Sequence, residues 1–325
     1  MCTSFTFYNN KFYFGRNLDL EYRFGEKVVI TPRNYVLNYK EEKQNSSHFA
    51  FIGMARVEDD YPLYAEAANE KGLCMAGLNF PSNACYNPAK EEGKINVTPY
   101  EIIPYILAEC STADEAAEKI KNLNLIAIEF KKGMALAPLH WIISDKEKSF
   151  VVEPTKEVIK LYENPVGVLT NNPEFSFHIT NLSHYLNLTS NHGENRFSEK
   201  LDIKPFGEGF GAIGLPGDFS PASRFIRTVF NKFNSRCDEN ENASVSQVFH
   251  ILDSVAMIKG TVITKEGMCD ITSYSACINA TDGIYYYKTY TNSAVNAVSM
   301  NKENLDSSDL KVFDLKEDLY INYQN

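Results

Sequence analysis

The order in which strand-like and helix-like segments follow one another limits this chain more than any other feature. Strand patterns come first, then two capped helices, strands again, two more capped helices, and strands to the end. A parallel βαβ protein would alternate strictly, so this order points to antiparallel sheets with helices segregated outside them, an α+β layering. The opening residues set the pattern. From Cys2, small or polar residues alternate with apolar ones, reach Tyr8-Asn9-Asn10-Lys11 and resume at Phe12-Tyr13-Phe14. That is a β-hairpin closed on an asparagine turn. Further strands are expected at Lys27 to Thr31, which stops at Pro32, and at Phe49 to Met54, Gly72 to Leu78, His140 to Ser144, Phe150 to Glu153 and Val158 to Tyr162. Near the end come Thr272 to Ile278, an Asp282-Gly283 turn, Ile284 to Thr291 and alternating Val295, Ala297 and Ser299.

Helices announce themselves by their caps. Thr98-Pro99-Tyr100-Glu101 places Thr at the N-cap, Pro at the first helical position and Glu at the third. Thr112-Ala113-Asp114-Glu115 repeats the box for a helix to about Lys121. Ser220-Pro221 opens a third helix, with Phe225, Val229 and Phe233 on one stripe. Ser244-Val245-Ser246-Gln247 opens a fourth, which should end at Lys259-Gly260. No repeat, low-complexity tract or linker interrupts the 325 residues, so 1–325 is read as one domain.

Composition narrows the function classes. A hydrophobic share of 44% supports a large core without disulfides or metals. A formal net charge of -10 argues against nucleic acid and against an anionic membrane surface. A small anionic substrate is still compatible, because one or two local arginines outweigh the global sign. Seven cysteines, an odd number with no CxxC pair, read as reduced thiols. With no leader-like N-terminus and no apolar run near the roughly 18 residues of a membrane span, a cytoplasmic protein is expected. The six histidines show no HExxH and no zinc spacing, and no GxSxG elbow, P-loop or dinucleotide fingerprint occurs. No metal or nucleotide cofactor is therefore expected. His178 and His184 read as surface residues, His140 beside Trp141 as core.

Cys2 is the sharpest chemical feature. Initiator methionine is usually trimmed when the second residue is small, which would leave a thiol and a free α-amine on one residue. An α-amine titrates near about 7.7–8.0, so part of it is neutral near pH 7 and can act as base. A nucleophile served by its own N-terminal amine is an established arrangement. The bland reading is a cysteine at position 2 by accident. Gly15-Arg16-Asn17-Leu18-Asp19 follows on the returning strand of the hairpin, and pairing brings this end back beside the N-terminus. A guanidinium there favours the thiolate, and a carboxylate can orient the amine. The bland reading is a solvated Arg and Asp at a strand end.

These residues carry a wider likeness. Met1-Cys2-Thr3, Phe14-Gly15-Arg16-Asn17-Leu18-Asp19, Ile30-Thr31-Pro32-Arg33-Asn34-Tyr35, Met75-Ala76-Gly77-Leu78-Asn79-Phe80, Leu169-Thr170-Asn171-Asn172-Pro173 and Gly214-Leu215-Pro216-Gly217-Asp218 resemble the choloylglycine hydrolase family. The likeness runs on through Ser223-Arg224-Phe225, Phe249-His250-Ile251-Leu252 and Asn301-Lys302-Glu303-Asn304-Leu305, in order along nearly the whole chain. The resemblance implies a four-layer αββα N-terminal-nucleophile (Ntn) sandwich with two stacked antiparallel sheets, a homotetramer, and hydrolysis of the amide joining a bile acid to glycine or taurine. It implies Cys2 as nucleophile with its own amine as base, Arg16 and Asp19 positioning and tuning it, Asn79 and Asn171 in the oxyanion hole, and Arg224 supporting the charge network. Side-chain amides suit that task, because acyl transfer builds negative charge on the carbonyl oxygen.

Relatives acting on penicillin V tend to carry Tyr at the position of Asn79, so Asn favours the bile-salt branch. A steroid needs an apolar pocket open at one end, for which Tyr22, Phe24, Met134, Ala135, Leu136 and the Phe130 region are candidates. Penicillin V or N-acyl-homoserine-lactone acylase activity is the competing chemistry, and a non-catalytic steroid-binding α+β protein the competing class. Two segments depart from the family. Cys74 stands where Gly is expected and reads as a buried hydrophobe, and Gly260 to Cys277 matches less closely.

Overall fold

The computed structural model describes residues 1–325. The hairpin β1 (Cys2–Asn9) and β2 (Lys11–Leu20) opens the chain, followed by β3 (Lys27–Thr31), β4 (Phe51–Glu58), β5 (Tyr61–Asn69) and β6 (Cys74–Asn79). A short β7 (Ile95–Val97) leads into α1 (Ile102–Glu109) and α2 (Ala113–Ile120), after which β8 (Leu123–Leu125) pairs with β7 in parallel. Next come β9 (Leu139–Ser144), β10 (Ser149–Pro154), β11 (Ile159–Glu163), β12 (Val168–Leu169) and α3 (Phe175–Asn181). Helices α4 (Pro221–Asn234) and α5 (Glu241–Asp253) precede β13 (Ile271–Asn279), β14 (Ile284–Thr289), β15 (Asn296–Ser299) and β16 (Lys311–Phe313).

One sheet runs β12-β1-β2-β13-β14-β15 and the other β11-β10-β9-β6-β5-β4-β3-β16, each antiparallel throughout. The sheets stack, with α4 and α5 covering the first and α1 and α2 the second. The expected four-layer α+β sandwich is what forms.

Strand alternation explains the layering. Side chains on a strand point to opposite faces with period two. In β9 Ile142 enters the core between the sheets, while Trp141 and Ile143 face the α1/α2 layer. In β6 Cys74, Ala76 and Leu78 point inward and Met75 outward. A sheet buried on both faces wants apolar residues at every position, so these strands read as continuous apolar runs. Cys74 is fully buried, as expected of a small hydrophobe.

The caps hold in part. Thr112 accepts from Glu115 N–H, and Ser220 from Ser223 N–H. At α1 only the return half of the box forms, the Glu101 carboxylate accepting from Thr98 N–H, and the helix starts later than its cap pattern indicated. Helix α5 starts earlier than expected, capped by Asn240, and ends at Asp253 rather than Lys259. Asn240-Glu241-Asn242 is itself a polar cap sequence, and Ser244 sits one turn inside.

Truncating Ile143→Ala in the fully buried α1/α2-facing layer should cost about 2–5 kcal/mol. Val158→Ala, at a residue 58% exposed, should stay within about 0.5 kcal/mol. Urea unfolding of the two variants checks both.

Candidate active site

The β1–β2 ladder pairs Cys2 with Leu18 and Ser4 with Arg16, so the hairpin folds the Arg16 region back onto the chain start. Cys2 is buried, and Arg16 Nη2 lies 3.5 Å from its Sγ. The opposite sheet holds the rest of the Arg16 guanidinium. Nη1 donates to Ala65 O at 2.8 Å, and Nε lies 3.2 Å from Glu66 Oε2. Burial works against the Arg16 charge, yet Glu66 and Cys2 more than offset it and hold its pKa above the usual arginine value.

A second buried arginine grips Cys2 from the helical layer. Arg224, in the first turn of α4, donates from Nη1 to Cys2 O and to Thr3 Oγ1, both at 2.6 Å, and from Nη2 to Asn171 Oδ1 at 2.7 Å. Burial lowers its pKa, and Asp19, Cys2 and Asp270 oppose that fall. Asn171 Oδ1 also accepts the Cys2 N–H at 2.9 Å, while its Nδ2 donates to Asn79 O at 2.7 Å. One amide thus ties Cys2, Arg224 and the end of β6 together.

Asp19 is fully buried, and burial pushes its carboxyl up. Its Oδ1 accepts from Thr272 Oγ1 at 2.6 Å, and Oδ2 has no protein partner. With Met1 in place the α-amine belongs to Met1. That amine donates to Asp19 O at 2.6 Å and to Asp270 Oδ2 at 3.2 Å. Hydrogen bonds therefore join Cys2, Arg16, Asn171 and Arg224 into one cluster, with Asn79 attached through its carbonyl and Asp19 buried beside it, bonded to Thr272 and, through its backbone, to Met1.

Beside the cluster lies a cavity of about 500 Å³, within the roughly 300–1,000 Å³ of small-molecule sites. Cys2, Arg16 and Asn79 are among the residues that line it. All six expected pocket residues, Tyr22, Phe24, Phe130, Met134, Ala135 and Leu136, form part of its wall. Of 22 lining residues 16 are hydrophobic, and Arg16 and Glu21 are the charged ones. The site therefore suits an apolar body whose polar group is delivered to the sulfur. No cluster of three or more His, Cys, Asp or Glu side chains here could hold a metal ion.

Sequence reading missed several contributors. Strand β5 went unread because Tyr61–Asn69 mixes Pro, Glu and small residues, and with it went Glu66, whose signal is one acid inside Ala-Glu-Ala-Ala. Asp270, Thr272, Tyr274 and Tyr285 were missed too. The first three sit in or beside the segment that departs from the family. His178 was expected on the surface and is instead fully buried, donating from Nε2 to Asn171 O at 2.9 Å and stacked on Phe225. Helix α3, absent from the sequence reading, carries it inward.

Comparison with known proteins settles the lineage. The model of linear amide C–N hydrolases, choloylglycine hydrolase family, matches residues 2–313.

The chain belongs to the choloylglycine hydrolase family.

It is 45% identical over 318 residues to a bile salt hydrolase/transferase of Lactiplantibacillus plantarum, covering 98% of each chain. It is 39% identical to a conjugated bile acid hydrolase of Lactobacillus gasseri, covering 95% of this chain and 99% of that one. The structure matches the C2A mutant of the conjugated bile acid hydrolase from Clostridium perfringens with a TM-score of 0.93 at 40% identity, over the whole of both chains. The penicillin V acylase from Agrobacterium tumefaciens matches at 0.75 and 18% identity over 99% of this chain and all of that one, which shows a common fold. This choloylglycine hydrolase family member thus has the Ntn sandwich, as its sequence implied.

Burial pulls the His178 pKa down from 6.5 to about 4, with His140 and Arg224 adding to the fall against the hydrogen bond at Asn171 O. An unfolded chain takes up this proton near 6.5, the folded one only near 4. Between these values the unfolded state binds more protons, so stability is fully present above 6.5 and falls as pH drops toward 4. The contribution is about 3 kcal/mol. Urea unfolding at pH 7 and pH 4.5 should show a steeper loss in the wild type than in His178→Gln.

Proposed function

We propose that this chain hydrolyses the amide of glycine- or taurine-conjugated bile salts, releasing free bile acid and the amino acid. Cys2 is the nucleophile in this reading, exposed as the N-terminal residue once Met1 is removed. The observation that carries it is Cys2 in the lining of a largely apolar cavity, with the Arg16 guanidinium 3.5 Å from its sulfur. Support also comes from the names of the relatives, which act on bile salts at up to 45% identity over nearly full length.

The chemistry follows from the groups present. The thiolate attacks the scissile carbonyl carbon, forming a C–S bond and placing negative charge on the oxygen. Asn79, lining the cavity beside Cys2, and the second N–H of Asn171 Nδ2 are the donors proposed for that oxyanion. The C–N bond breaks as the leaving nitrogen takes a proton from the Cys2 α-ammonium. Water then attacks the thioester carbonyl, giving a proton to the amine; the C–S bond breaks, the Cys2 thiolate is restored and the bile acid leaves. Removing Met1 turns the Cys2 nitrogen, 2.9 Å from Asn171 Oδ1, from a peptide N–H into that amine. Arg16 favours the thiolate, Asp19 and Arg224 orient the residue, and the cavity holds the steroid.

The reading extends to a one-domain enzyme of the cytoplasm that assembles as a homotetramer. No helix is long and apolar enough to cross a membrane. Between α3 and α4 the chain exposes Leu186 (84%), Phe197 (85%) and Phe206 (96%), apolar surface of the kind that subunit contacts cover.

Cys2→Ala should lower turnover of glycocholate and taurocholate by on the order of 10⁴-fold or more, and protein retaining Met1 should be equally inert. Faster turnover of penicillin V than of either bile salt would reject the substrate assignment. Replacing Phe197 and Phe206 together by Asp should shift sedimentation velocity from tetramer toward smaller species.

A further inference from the structure

The buried carboxylate of Glu66 has no part in the reaction as written, yet it is built into the site with unusual completeness. It is fully buried, on the sheet opposite Cys2. Tyr274 of β13 and Tyr285 of β14 donate their hydroxyls to its two oxygens, at 2.8 Å to Oε2 and 2.5 Å to Oε1. Burial raises both phenols well above their ordinary value, so they stay protonated donors. The remaining partner is Arg16 Nε at 3.2 Å.

Local backbone explains the placement. The β4–β5 register pairs Met54 with Glu66 and then Ala55 with Tyr64, leaving Ala65 as an extra residue, a β-bulge. Gly53 lets the strands approach, since a Cβ there would lie 2.0 Å from Glu66 O. The bulge frees the Ala65 carbonyl from the ladder, and it accepts from Arg16 Nη1. Two consecutive residues of β5 therefore hold two nitrogens of Arg16, and the third nitrogen is the one at the Cys2 sulfur.

We infer that Glu66 is a positioning residue for Cys2: held by Tyr274 and Tyr285, it fixes the Arg16 guanidinium against the sulfur and partly balances its charge there. The inference rests on the reading of Cys2 as nucleophile. A salt bridge that only locked the two sheets together would use the same contacts, so the test must read the thiol itself. The charged and titratable groups around the pair are Arg16, Arg224, Asp19, Asp270 and the N-terminal amine about Cys2, and Arg16, Glu26, Tyr274 and Tyr285 about Glu66.

The experiment follows iodoacetamide alkylation of Cys2 against pH in mature enzyme, read by mass spectrometry of the N-terminal peptide, beside kcat and KM for glycocholate. In Glu66→Gln the uncompensated guanidinium should move the alkylation inflection down by about one pH unit. A looser guanidinium should lower kcat on the order of tenfold, with KM unchanged because Glu66 does not line the cavity. Glu66→Asp restores the charge and should return the inflection to the wild-type pH. If Glu66→Gln fails to fold, Tyr285→Phe removes one donor, keeps the carboxylate, and should shift the inflection in the same direction by less. A wild-type inflection in these variants overturns the inference, whatever happens to thermal stability. Hydrolysis surviving in Cys2→Ala would instead overturn the nucleophile reading, so the two failures are distinguishable.

Discussion

Two guanidinium groups taken wholly out of water grip the start of β1 from opposite sides. Burying such a charge costs several kcal/mol unless its donors are matched, and a mismatched one is worse than none. Arg16 meets the demand across the sandwich with Ala65 O, Glu66 and the Cys2 sulfur. Arg224 meets it from the helical layer with Cys2 O, Thr3, Asn171 and the Phe219 carbonyl. Cys2 cannot shift without unpairing a buried charge, which gives a terminal residue the fixity of a core one. Chain ends ordinarily fray. Here the terminus is fastened by elements from every layer around it.

That fastening separates the polar side of the site from the apolar one. The hydrogen-bonded cluster is drawn from strands and from the first turn of α4. Much of the cavity wall comes from the 21–26 and 127–138 connections, which carry Tyr22, Phe24, Phe130, Met134, Ala135 and Leu136. Connecting segments tolerate sequence change better than the elements they join. A fold arranged this way can keep one amide-cleaving centre and vary the body of the acyl group it admits.

Much of the secondary structure was legible because it rests on local chemistry. The asparagine turn after β1, Pro32 at the end of β3, and the Thr112 and Ser220 caps each act within a few residues, and all appear where expected. Strand β5 was not legible, since its Pro, Glu and alanines are poor strand formers that only neighbours on both sides make into a strand. His178 was misplaced for a related reason. A polar residue reads as exposed unless its partner is known, and its partners, Asn171 O and the Phe225 ring, come from elsewhere in the chain. The residues around Cys2 that were named beforehand lie in segments resembling the family. Asp270, Thr272 and Glu66 act through contacts 50 to 269 residues away in sequence or fall where the resemblance weakens, so nothing local marked them.

The amino-acid sequence by itself determined the α+β order of elements, the hairpin that returns Arg16 to the chain start, and a thiol placed where trimming would join it to a free amine. These depend on alternation, turn residues and caps, all short-range. Only the tertiary structure decided which charges would be buried together, that a bulge at Ala65 would turn Glu66 toward Arg16, and that two separate connections would enclose one apolar cavity. Such outcomes depend on two sheets stacking face to face, and the free energy of a buried charge is set by partners that the stacking alone brings near.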